Sequence, residues 1–181
     1  MVFVYLAEGF EEIEAVTPVD VLRRAGLEVA TVSMEKGRQV TGSHGIPVLC
    51  DRTFEESEKT AATALILPGG MPGATGLLRS RALLDRLRRE HDKGTLICAI
   101  CAGPMVLAEA GILEGRRAVI YPGMEDRIKG AVSCSERVCV DGNLVTSLGP
   151  ATAMPFALEI LKMLTDPTVR DRIKEGMLFD D

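Results

Sequence analysis

The sequence predicts a doubly wound α/β domain, a mostly parallel sheet with helices on both faces, and three observations point to it. Short apolar runs alternate with longer helical patterns from one end of the chain to the other. Three of those runs, Val2–Leu6, Ala64–Leu67 and Thr95–Ile100, are apolar on both faces, as strands covered by helices on each side must be. The 181 residues show no internal repeat, linker or low-complexity stretch, so a single domain over 1–181 accounts for the whole.

Taken in order, the strand candidates are Val2–Leu6, Glu28–Ser33, Ala64–Leu67, Thr95–Ile100, Ala118–Ile120 and Leu144–Ser147. Between the first two, Glu12 to Ala25 gathers Ile13, Val16, Val21 and Leu22 near one side; Gly26 ends this helix, and Pro18 inside it predicts a kink. Ser80 to His91 sets Leu83, Leu84 and Leu87 on one face against Arg and Asp on the other. Ala102–Ala110 follows its strand almost without a loop, and Ala151–Leu164 is a further helix with a buried face. Asp166-Pro167 supplies an N-cap and a first-turn proline for a last short helix. Two hairpin-like segments interrupt the alternation: Gln39–Val48, turning at Gly42 and Gly45, and Val138–Leu144, turning at Asp141-Gly142-Asn143.

The totals exclude several classes of function. Net charge is −5 and aromatic residues are 4%, with no Trp, which argues against both a phosphate-backbone footprint and a base-stacking surface. Five cysteines scattered over a chain of this length do not make a disulfide framework. The N-terminus meets Glu8, Glu11 and Glu12 without a basic region, so no signal peptide is expected. The longest apolar stretch, Leu96 to Leu113, is broken by Gly103-Pro104 and charged by Glu109, so no membrane span is expected either. These readings predict a cytoplasmic, reducing environment.

Sites in doubly wound sheets gather at the carboxyl ends of the strands. Two loops stand there: Pro68-Gly69-Gly70-Met71-Pro72-Gly73 after one strand, and Cys101-Ala102-Gly103-Pro104 after the next. The second has the logic of a nucleophile elbow, with a reactive side chain on a tight turn and a helix behind it. A helix start at Cys101 would lower a thiol pKa from about 8.5 into roughly 3.5–7.5. The N–H groups of Ala102 and Gly70 would form an oxyanion hole. Free cysteine is also a common inert core residue, and that alternative for Cys101 stands beside the nucleophile. Glu11, Glu12 and Glu14 open the first helix, where the dipole favours acids; Glu14, followed by an apolar stretch, is the one placed to lean into a site and exchange a proton with a thiol.

Together these residues resemble the ThiJ/PfpI superfamily, in the branch of the parkinsonism-associated protein deglycase and its bacterial relative YajL. The segments that carry the resemblance are Glu11-Glu12-Ile13-Glu14-Ala15-Val16, Pro18 to Gly26, Leu67-Pro68-Gly69-Gly70, Ala99 to Pro104 and Thr146 to Thr152. The resemblance implies a flavodoxin-like three-layer sandwich, a homodimer, Cys101 as the reactive cysteine, Glu14 as its carboxyl partner, and Gly70 and Ala102 as oxyanion donors. It implies no cofactor. The deglycase branch usually places a His-Pro pair about twenty residues after the cysteine; this chain has Tyr121-Pro122. Tyrosine, with a pKa near 10, donates a hydrogen bond but is a poor neutral-pH base. The peptidase branch places His directly after the cysteine, where this chain has Ala102, which disfavours a peptidase.

The remaining candidates have plainer readings. Cys98 and Cys101 spell C-x-x-C, but Cys98 is expected inside the strand, and no second ligand pair exists for a metal. Cys134 and Cys139 flank Glu136-Arg137 and are expected to be incidental; His91 lies in a solvated helix end. His44, in the first hairpin, is either a surface turn residue or a substrate contact at the pocket mouth beside Gly69 and Tyr121. Two functions are carried forward. One is a cysteine enzyme, hydrolase or lyase, acting on small reactive carbonyls in the manner of a glyoxalase or deglycase. The other is an oxidative-stress sensor or chaperone working through oxidation of Cys101.

Overall fold

Five strands buried along their whole length form the centre of the molecule. A computed structural model describes residues 1–180. The central strands are β1 (Val2–Leu6), β2 (Val29–Ser33), β6 (Ala64–Leu67), β7 (Leu96–Ile100) and β11 (Leu144–Ser147). With β5 (Arg52–Thr53) and β10 (Val138–Asp141) at the edges they make a seven-stranded sheet in the order β10-β11-β7-β6-β1-β2-β5. All pairs are parallel except β10 with β11. β3 (Gln39–Thr41) and β4 (Pro47–Leu49) form a separate antiparallel hairpin.

Period-two alternation divides the apolar strand residues between two cores. Phe3, Tyr5, Leu65, Leu67, Ile97 and Ala99 face one side; Val4, Leu6, Ile66, Cys98 and Ile100 face the other. The first core is closed by α3 (Gly73–Arg79), α4 (Arg81–Asp92) and α5 (Pro104–Glu109). The second is closed by α1 (Glu12–Arg24) and α6 (Ala153–Leu164), with α7 (Pro167–Gly176) against α6. This is the flavodoxin-like three-layer sandwich. β2 and β6 flank β1 on opposite sides, so the winding reverses between β1 and β6, where such sheets open a crevice.

Several boundaries differ from expectation for local reasons. α1 runs unbroken through Pro18, which has no N–H to offer the Glu14 carbonyl. The helix after Cys101 begins at Pro104, not Ala102, and has six residues. The run Ala118–Ile120 does not join the main sheet: β8 (Arg117–Ala118) pairs in parallel with β9 (Val132–Ser133) beside it, and Val119 donates its N–H to Thr146 Oγ1. α2 (Phe54–Glu58), closed by a capping box between Thr53 and Glu56, and α3 were not read from the sequence.

Candidate active site

The carboxyl ends of β1, β6 and β7 meet at Cys101. Its φ of 61° puts a residue with a side chain in the left-handed region, the strained geometry expected of a nucleophile elbow. Backbone hydrogen bonds hold the turn from both sides. The Cys101 N–H donates to Ser147 O at 2.9 Å, and its carbonyl accepts from Tyr121 N at 3.0 Å. Gly103 follows because a Cβ there would lie 2.6 Å from Leu67 O. The side chain remains partly exposed while Ala102 behind it is buried.

Glu14 reaches this sulfur from the first turn of α1. It is fully buried, and its Oε2 accepts the Gly69 N–H at 2.8 Å. Its Oε1 is buried without an N–H or O–H donor among the described residues. The Cys101 thiol is the titratable group beside this carboxyl. Gly69 is the hinge of the arrangement: a Cβ would lie 2.6 Å from Cys101 Cβ and 2.8 Å from Glu14 Oε2. Gly70 has φ +84°, and its absent side chain lets the loop pass against Glu11 N and Phe10. The backbone amides of Gly70 and Ala102 favour the charged form of the Cys101 sulfur.

The electrostatics correct the expected thiolate. The six-residue helix starting at Pro104 does not set the charge of the thiol. Burial pushes Cys101 up to about 12, the Glu14 charge and hydrogen bond add to the rise, and the amides of Ala102 and Gly70 pull against it. Burial likewise pushes Glu14 up to about 7, opposed by the Gly69 amide and the Cys101 hydrogen bond and aided by the Glu11 charge. The two groups titrate as a pair. Glu14 gives up its proton near pH 7 while the Cys101 thiol keeps its own, so above that pH an ionised carboxylate stands within reach of a protonated sulfur.

The other expected residues, Tyr121 and His44, are exposed. Tyr121 is 47% exposed, with its backbone joined to Cys101 and its ring over Gly149. His44, exposed in the turn of the β3–β4 hairpin, is engaged by acids. Its Nδ1 lies 2.9 Å from Glu12 Oε2 and 3.5 Å from Glu11 Oε2, and its N–H donates to Glu12 Oε1 at 2.8 Å. Burial pulls Glu12 upward, but the His44 side chain and the amides of His44 and Ile46 hold it down at about 2; the Glu12 hydrogen bond raises His44. Cys98 is sealed inside β7, where burial pushes its thiol up and a dithiol partnership with Cys101 has no opening. Cys134 and Cys139, expected to be incidental, are joined in a disulfide. Sequence reasoning missed the part of Ser147, whose carbonyl anchors the elbow; nothing in a serine at the end of a strand marks it.

A model of the DJ-1/PfpI family matches residues 1–163, which takes in every element that builds this constellation. The chain belongs to the DJ-1/PfpI family. Among similar family members, protein dj-1beta of Drosophila melanogaster is 36% identical over 177 residues, 97% of this chain and 95% of the relative. Deglycase PH1704 of Pyrococcus horikoshii is 36% identical over 160 residues, 87% and 95% of the two chains. The solved structure of oxidized Toxoplasma gondii DJ-1 superposes with a TM-score of 0.95 at 39% identity, over 99% of this chain and 98% of that one. No helix among the described residues is long and apolar enough to cross a membrane.

Proposed function

We propose that this chain is a cysteine-dependent enzyme of the glyoxalase or deglycase type, acting on small reactive carbonyls. The observation that carries it is the buried Glu14 carboxyl, held by the Gly69 N–H and packed beside Cys101 on its strained elbow. Family members named as deglycases add support. The Cys101 sulfur bonds to the aldehyde carbon as its proton passes to Glu14, which acts as general base with a pKa raised to the working pH. The carbonyl oxygen becomes an alkoxide, stabilised by the N–H groups of Gly70 and Ala102, and takes the proton back to give a hemithioacetal. With an α-ketoaldehyde, Glu14 then removes the proton from the former aldehyde carbon and returns it to the neighbouring carbon. The resulting thioester is hydrolysed by water to a hydroxy acid, freeing Cys101. With an early glycation adduct, the same carboxyl protonates the departing amine. None of these steps needs a metal or cofactor.

Purified protein mixed with methylglyoxal tests this directly. Wild type forms lactate, Cys101→Ser falls to the uncatalysed rate, and Glu14→Gln loses about 100-fold or more. Wild-type turnover no better than Cys101→Ser overturns the enzyme.

Tyr121 in place of an imidazole favours a second reading, oxidative-stress sensing through Cys101, and the oxidized relative supports it. Stable, selective oxidation of Cys101 by mild peroxide without carbonyl turnover selects this reading. We also propose a homodimer in the cytoplasm, built on the exposed Ile13 and Val16 of α1 and Ile46 and Leu49 of the hairpin. A monomeric mass in solution refutes the dimer.

A further inference from the structure

A second pair of sulfurs lies outside the site just described. Cys134 precedes β10 and Cys139 lies within it, and their bond closes a short ring that contains Glu136 and Arg137. The two ends are unequal. Cys139 is 1% exposed, while Cys134 is partly exposed and lines a cavity of about 190 Å³ with Val119, Ile120, Ser133 and Leu148. Charged groups converge on the outer sulfur alone. Arg117 Nη2 lies 3.3 Å from Cys134 Sγ, and Glu136 Oε2 lies 2.6 Å from it. Arg117 and Glu136 are themselves paired at 3.2 Å.

We propose that Cys134 and Cys139 form a reversible dithiol–disulfide site, distinct from Cys101, that exchanges with low-molecular-weight disulfides. In the open form the Cys134 thiol loses its proton to water, and the Arg117 guanidinium beside it stabilises the thiolate. That thiolate attacks one sulfur of the small disulfide, forming a mixed disulfide and releasing the first thiol. Cys139, beneath it, loses its proton to water and displaces the second thiol, closing the protein disulfide. The protein pair is oxidised by two electrons and the small disulfide is reduced to two thiols. Arg117 against the same sulfur sets this cluster against a divalent cation, although Cys134, Glu136 and Cys139 lie close enough together to surround one. The ring has a structural consequence near Cys101. The Arg137 carbonyl accepts Ser147 Oγ at 3.1 Å and Leu148 N at 3.3 Å, and Ser147 is the residue that anchors the elbow.

The test uses the full chain carrying Cys101→Ser, which removes the other accessible thiol and makes the outcome independent of the proposed carbonyl chemistry. Reduced protein is equilibrated in glutathione buffers of rising disulfide content, and free thiols are titrated and mapped. The titre falls from four to two, Cys50 and Cys98 alone staying free, with Cys134–Cys139 recovered as one linked peptide and dithiothreitol restoring all four. Adding Cys139→Ser leaves Cys134 trapped as its glutathione adduct. Four thiols persisting throughout, or Cys134 accumulating as a glutathione adduct while Cys139 is present, overturns the proposal.

Discussion

The crevice between β1, β6 and β7 and the outer edge around β10 are built on opposite principles. In the crevice, close packing fixes every atom: Gly69, Gly70 and Gly103 are glycines because backbone and side chains of neighbouring strands occupy the space a Cβ needs. Away from it, Gly123 has nothing within 4 Å of a would-be Cβ and Tyr121 is half exposed, and at the edge charged groups such as Arg117 and Glu136 meet in water. A carboxyl and a thiol can be held within reach of each other only where neither can turn away or recruit solvent. Sulfurs at the edge are open to exchange with small molecules instead.

Alanine at two glycines separates these regimes most sharply. Gly69→Ala drives a methyl into Cys101 and Glu14 and is expected to cost about 3 kcal/mol in thermal or denaturant unfolding, with loss of Cys101 reactivity. Gly123→Ala pays only for its φ of +90° and costs about 1 kcal/mol. Equal costs would erase the contrast.

Glu14 supplies a second separation, through pH. Its folded pKa of about 7 lies above the ordinary 4.5, so the folded state holds this proton more tightly than the unfolded chain. That contribution is complete below about pH 4.5, declines as pH rises, and is gone above about 7, an effect of about 3 kcal/mol at most. Wild type minus Glu14→Gln isolates it, because the raised His44 and lowered Glu12 are common to both. A flat difference curve between pH 4.5 and 7 would contradict the buried, raised Glu14 carboxyl.

The smallest effect belongs to an exposed ring. Tyr121→His exchanges one half-exposed ring for another and should change stability by no more than about 0.5 kcal/mol. A larger loss would mean that the Tyr121 ring supports the elbow through Gly149 as well as through its backbone.

The same division governs what the sequence discloses. Both-face apolar strands such as Ala64–Leu67 and Leu96–Ile100 announce themselves, and the loops that follow them point to Cys101 and Gly69-Gly70 because that is where doubly wound sheets leave room. Glu14 was readable as an acid among apolar neighbours. The charge state of Cys101 was not, since it depends on how deeply sulfur and carboxyl are buried together, a property of the folded packing. Cys134 and Cys139 are five residues apart in a polar stretch, and only the turn into β10 brings their sulfurs into contact. Ala118–Ile120 reads as a sheet strand by composition, yet Thr146 captures its backbone and holds it outside.

The rate of Cys101 alkylation by iodoacetamide as a function of pH, in wild type and Glu14→Gln, bears most directly on proton transfer from Cys101 to Glu14. Wild type should gain reactivity through a midpoint near pH 7, as Glu14 ionises and becomes able to take the thiol proton, while Glu14→Gln shows no step there. Superimposable profiles for the two proteins would contradict it.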